Sequence, residues 1–154
     1  MERSTTESTA SSSGPATPPA KVVMLVEDNK INQRLGVKML KTLGYDVIIA
    51  DDGQDAIDSL LEHAPGVDAI LMDQSMPRKD GLTATREIRE MEANGTLPLR
   101  AGRPIPIIAV TAVVGAHAEA MCRQAGTDDF LPKPLSLSKL RKTLETFLID
   151  FSAD

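Results

Sequence analysis

From Lys21 onward, short runs of consecutive apolar residues recur along the chain, each followed by a segment of helical periodicity. The runs lie at 21–26, 45–50, 67–73, 105–110 and 128–132, and two of them, VVMLV and PIIAV, have no polar residue. Unbroken apolar strands, rather than alternating ones, are what a parallel sheet needs when helices cover both faces. The periodic segments 29–43, 53–63, 81–93, 115–125 and 136–149 predict the helices. Five βα units in succession predict a doubly wound α/β sandwich with a five-stranded parallel sheet between two helical layers. Gly44 and Gly126 sit where helices end in a left-handed cap, and Asp52-Gly53 marks the turn into the second helix.

In the first helix, Asn32, Leu35, Gly36, Met39, Leu40 and Leu43 share one stripe and are expected to face the sheet. Ile31 falls off that stripe, which makes it an exposed apolar residue at the rim and a candidate for docking an apolar helix face of a partner. The connection Asn94–Pro104 is longer than the usual ~2–6 residues and reads as a solvated loop, with Arg100 and Arg103 as candidate partner contacts. Residues 1–20 are almost wholly Ser, Thr, Ala, Pro and Gly, so they are expected to be a disordered tail or linker. The folded domain then spans 21–149, and 150–154 form a C-terminal tail.

Of the 154 residues, 42% are hydrophobic but only 3% aromatic, so the core is expected to be aliphatic. A formal charge of -5 and the lack of stacking aromatics argue against a nucleic-acid partner. Cys122 is the only cysteine, which excludes an intrachain disulfide and a thiolate zinc site; a buried or half-buried helical position is expected for it. No apolar run approaches the ~20 residues of a membrane span, and no signal-like segment starts the chain, so a cytoplasmic setting is expected. His63 and His117 lack a second ligand at metal spacing and read as surface residues.

The chemistry collects at the ends of strands. Glu27-Asp28 follows the first, Asp73 the third, Thr111 the fourth and Lys133 the fifth. In an open parallel sheet those ends line one edge, and ligands bind there at the switch point of strand order. Singly, each residue has an ordinary role: Asp28 or Asn29 as a helix cap, Asp73 as a turn residue, Thr111 as a strand residue, Lys133 as a surface charge. Together, three acids, a hydroxyl and an ammonium suit a divalent cation and a phosphoryl group. Three crowded carboxylates need a neutralising cation, and Mg²⁺, which takes few protein carboxylates and keeps waters, suits the set better than Ca²⁺. Asp28 and Asp73 are expected to bind it directly, Glu27 through water, and the carbonyl of Ser75 to add an oxygen. Asp73 is the natural nucleophile.

The segments LVEDNKINQ, LMDQSMPRKDG, AVTA and DDFLPKPL resemble the receiver domain of two-component response regulators, most of all the receivers of hybrid sensor histidine kinases. The resemblance covers residues 21 to 149. It implies the flavodoxin-like strand order 2-1-3-4-5 and a phosphorelay function. Asp73 would accept a phosphoryl group from the phosphohistidine of a histidine kinase or phosphotransfer protein, and the switched domain would control a downstream signalling protein. It implies Glu27 and Asp28 as metal residues, Thr111 and Lys133 as phosphoryl contacts, a cis Lys133-Pro134 bond, and Phe130 as the switch ring paired with Thr111. Such a domain is not a conventional turnover enzyme, although it promotes its own Mg²⁺-dependent phosphorylation and dephosphorylation. Ser75 and Val113 occupy positions that tune phosphoryl lifetime in such receivers; Val113 cannot orient a water. Gln74 departs from the common aliphatic or aromatic residue. Two alternatives stand beside this reading. An aspartyl-phosphate phosphatase would carry a second Asp where Ser75 lies, and a non-phosphorylated docking module would lack an acid or the lysine.

Overall fold

The computed structural model describes residues 20–64, 66–76, 79–99, 102–113 and 115–148. Both expected tails (apart from Ala20), Pro77 of the turn after Asp73 and Arg100 of the long connection lie outside the described residues. Strands and helices alternate in the order β1 (Val22–Val26), α1 (Lys30–Thr42), β2 (Asp46–Ala50), α2 (Gly53–His63), β3 (Ala69–Asp73), α3 (Gly81–Ala93), β4 (Ile107–Thr111), α4 (Ala116–Ala125), β5 (Asp129–Pro132) and α5 (Leu137–Leu148). Every strand pair is parallel, in the order β2-β1-β3-β4-β5. The order reverses between β1 and β3, whose ends carry Glu27 and Asp73.

Residues of opposite parity along each strand feed two separate cores. On one face Met24, Val26, Ile70, Met72 and Ile107 pack with Ala56, Ile57 and Leu60 of α2 and Ala84 and Ile88 of α3. On the other, Val23, Leu25, Leu71, Ile108 and Val110 pack with Leu40 of α1 and Leu140 and Leu144 of α5. Each buried Val, Leu, Ile or Met among them contributes about 2 kcal/mol. Both cores are aliphatic, as composition requires. Cys122 is buried on α4, and no described helix is long and apolar enough to cross a membrane.

Helix starts are set by side-chain caps: Asn29 accepts from the Asn32 amide, Asp52 from Asp55 and Asp80 from Thr83. Gly44 and Gly126 have positive φ at the ends of α1 and α4. Two expectations fail. In α1 the residues facing the sheet are Gln33, Gly36 and Leu40, whereas Asn32 is exposed and Leu35 is 53% exposed; Met39 and Leu43 are half-buried. The helix is rolled from its apolar stripe because the buried Glu27 carbonyl takes a donor from Gln33. The long connection is also not wholly solvated, since Leu97 and Ile105 are buried in the α2–α3 core and anchor it at both ends.

Candidate functional site

The parallel register brings the ends of β1, β3, β4 and β5 to one edge, with Asp73 level with Val110 and Thr111 level with Pro132. The chain leaves β1 at Glu27, whose amide donates to the Ala50 carbonyl at 3.0 Å. Glu27 Oε2 accepts from the Asn29 amide at 3.1 Å, so this carboxylate folds inward and Asp28 stays exposed. Asp73 is only 2% exposed, and its Oδ1 accepts from the Ser75 amide at 3.3 Å. Lys133 lies 2.9 Å from that same oxygen and 3.5 Å from Glu27 Oε1. It is held by its amide, which donates to the Thr111 carbonyl at 2.9 Å, and is followed by a cis peptide to Pro134.

One carboxylate oxygen from each of Glu27, Asp28 and Asp73 falls within 4.8 Å of the others. Against three acids stands one ammonium. Burial pushes the Glu27 carboxyl above its ordinary pKa; the Asn29 amide opposes this and the nearby Asp73 charge adds to it. Burial alone would lower the Lys133 ammonium, yet its bonds and attraction to Asp73 and Glu27 outweigh that and raise it. Asp73 Oδ2 is buried without a hydrogen-bond partner, which a native structure seldom tolerates unless something binds there. The donor set is entirely oxygen, so a hard divalent cation fits these residues and offsets the crowded charge.

A buried amide that its residue type did not reveal supports this loop from behind. Gln33 Nε2 donates to the Glu27 carbonyl at 2.5 Å and to Asp51 Oδ1 at 2.7 Å, while Lys30 reaches Asp51 at 2.8 Å. Of the acids after β2, Asp52 caps α2 as its position predicts, but Asp51 turns to α1. The Lys30 and Gln33 hydrogen bonds hold the Asp51 carboxyl below its ordinary pKa. Gln74 also acquires a role. Its Nε2 donates to the Met72 carbonyl at 2.9 Å and its Oε1 lies 3.8 Å from Cys122 Sγ, tying the residue after Asp73 to α4. Gly81 is required beneath it, because a Cβ there would collide with Gln74 and the Asp73 carbonyl.

Thr111 Oγ1 does not point to a charged partner; it bonds the Val113 amide and carbonyl, each at 3.0 Å. Thr111 and Phe130 line one cavity of about 370 Å³ together with Val113, Cys122 and Arg123. The half-buried Phe130 ring lies 4.8 Å from the Arg123 guanidinium. Val113 is 65% exposed, and Ser75, His63 and His117 are exposed. On the other side, a cleft of about 290 Å³ runs from Asp73 and Lys133 between α1 and the Pro134-Leu135 segment. Ile31 is 66% exposed on α1, and Leu35, misplaced by periodicity, borders the cleft itself.

Known proteins are similar to this chain in sequence and in fold. The family model described as the response regulator receiver domain matches residues 23–145. Histidine kinase 5 of Arabidopsis thaliana is 39% identical over an alignment covering 82% of this chain, which spans only 15% of that protein's length. Among solved structures, the receiver domain of sensor histidine kinase PA1611 from Pseudomonas aeruginosa PAO1, with a magnesium ion coordinated in its active site cleft, is 40% identical. It superposes with a TM-score of 0.71 over 84% of this chain and 98% of that one. A chain in the Saccharomyces cerevisiae complex of the histidine phosphotransfer signaling protein Ypd1 with the receiver domain of Ssk1 is 31% identical, with a TM-score of 0.72 over 86% of this chain and 95% of its own.

Proposed function

This chain belongs to the response regulator receiver domain family, and from that premise we propose that residues 21–149 act as a phosphorelay switch whose acceptor is Asp73. The observation that carries the reading is Asp73 itself: buried, ion-paired through Oδ1 to Lys133, and holding Oδ2 free of any partner. Oδ2 attacks the phosphorus of a phosphohistidine in line; the P–N bond breaks and its electron pair stays on the donor imidazole. Lys133 meets the negative charge of the transferred group. Glu27, Asp28 and Asp73, with the Ser75 carbonyl, would hold Mg²⁺, which would supply charge neutralisation for the transferred group. The donor is a histidine kinase or phosphotransfer protein docking over Ile31 and the adjacent cleft, in a cytoplasmic setting.

Switching follows from Thr111. In this structure its hydroxyl is engaged by its own loop, and a phosphoryl oxygen on Asp73 competes for it, drawing the loop after β4 inward. Phe130 then turns into the cavity it shares with Thr111, and α4 with β5 presents an altered face to a downstream protein. Inverting a 1:99 population needs about 5.5 kcal/mol of such differential contact.

The test is labelling by acetyl phosphate with Mg²⁺. One base-labile phosphoryl group per chain on Asp73, absent without the metal and in Asp73→Asn, is expected; label on a tail serine, or label undiminished in Asp73→Asn, overturns the reading.

A further inference from the structure

The exposed side of α1 is divided lengthwise by chemistry. Ile31, Leu35 and half-buried Met39, at i, i+4 and i+8 spacing, form an apolar strip, and its last two members border the cleft edged by Pro134 and Leu135. Lys30, Arg34, Lys38 and Lys41, all exposed, form a second strip on the opposite flank, the side on which Lys30 reaches Asp51. No acidic residue occurs in α1. Lys30 is neutralised by Asp51, whereas Arg34, Lys38 and Lys41 meet no carboxylate among the described residues.

Solubility alone favours interspersed signs, and a single-sign strip is unexpected on a chain whose net charge is -5. The strip also has a task to match its place. The crevice beside it holds three carboxylates and repels an incoming anionic phosphoryl group, so a donor gains from cations that attract its protein surface to the adjoining face.

We propose that α1 docks a helical surface of the phosphodonor that is apolar along one line and acidic along the neighbouring one. The apolar line lies in the cleft beside Pro134 and Leu135, and its carboxylates pair with Arg34, Lys38 and Lys41. The pairing fixes the donor's orientation, since the reversed pose would set its acids over apolar Pro134 and Leu135. This inference rests on the phosphoacceptor reading of Asp73 and adds the charge and handedness of the partner. Rim charges act chiefly on encounter rate and its salt dependence.

Phosphorylated Ypd1 serves as the probe donor, in its natural form and in two variants whose exposed positions along one flank of the phosphorylated histidine are all Glu or all Lys. At low ionic strength the Glu variant is expected to transfer about tenfold faster than the Lys variant. That gap shrinks to about twofold in the triple variant Arg34→Ala/Lys38→Ala/Lys41→Ala, and likewise when salt shortens the Debye length to a few ångströms. Acetyl phosphate labelling, which involves no protein surface, is expected to stay the same in the triple variant and reports its folding. Equal or inverted rates from the two donor variants overturn the proposal, and so does transfer from none of the three while acetyl phosphate still labels Asp73. Failure of acetyl phosphate on the unmodified chain overturns the phosphoacceptor reading instead.

Discussion

The two edges of the sheet use the same side-chain types to opposite ends. At the edge where the strands begin, Arg89 from α3 donates to the carbonyls of Gly126 and Ile105, at 2.9 and 2.8 Å, and pairs with Glu92 and Asp128, each at 2.8 Å. Those two acids in turn accept from the amides of Ile105, just before β4, and Ile107, which opens it, and Asp68 accepts from Val22, which opens β1. Each charge named there faces an opposite one or a backbone group. At the edge where the strands end, three acids crowd one lysine and a buried carboxylate oxygen has no partner. Cohesion is concentrated at one edge, and the other is left electrostatically unfinished for a ligand to complete.

Breaking the satisfied edge is therefore expected to have the largest effect. Arg89→Ala takes the guanidinium from two carbonyls and from two acids that keep only their backbone amide donors, and should destabilise the domain by about 3 kcal/mol, read from chemical denaturation. Arg89→Lys should recover only part of this, because an ammonium cannot reproduce the guanidinium's spread of donors. Acetyl phosphate labelling of Asp73 should persist in the folded fraction. A loss below about 1 kcal/mol, the scale of an exposed ion pair, would contradict the contrast between the edges.

An intermediate effect is expected where the reactive edge borrows a satisfied hydrogen bond. Gln33→Met keeps the length of the side chain but removes the donor to the Glu27 carbonyl, at a cost of about 1–2 kcal/mol. Because that carbonyl belongs to the acidic loop, Mg²⁺ affinity measured by calorimetry should fall as well. In Leu40→Ala, an apolar truncation on the same helix, stability should fall by about 2–4 kcal/mol with Mg²⁺ affinity retained by the folded fraction. Equal metal affinity in Gln33→Met and the unmodified chain would reduce Gln33 to a packing residue.

These two residues also mark what the sequence could not reveal. The strand-end chemistry was legible because apolar runs and turn residues punctuate the chain, so Glu27, Asp28, Asp73, Thr111 and Lys133 fall at predictable positions. Gln33 was not: its burial follows from one carbonyl and Asp51, a partner 18 positions away, and hydrophobicity preferred Leu35 for the inward face. Apart from Glu92 on its own helix, Arg89 binds groups 16 to 39 positions distant, and a charged residue on a helix reads as solvated until the loops around it are placed. The anchoring of Leu97 was hidden in the same way by the polar and turn-forming residues around it.

The smallest expected effect carries the sign that defines the reactive edge. Glu27 is nearly buried, and its raised pKa means the folded state holds that proton more tightly than the unfolded one. Its contribution is therefore favourable below the ordinary 4.5 and is lost as the pH rises through the folded value. Glu27→Gln keeps the acceptor for the Asn29 amide but removes a charge facing Asp73, so at neutral pH without metal it should raise stability by about 1 kcal/mol. The gain should vanish as the pH falls toward 4.5. Saturating Mg²⁺ should reverse the order, because the cation binds the folded state alone and binds the three-acid site more tightly. Thermal melts of the two proteins with and without Mg²⁺ measure this. If Glu27→Gln were less stable in both conditions, the carboxylates at this edge would be no more strained than those held by Arg89.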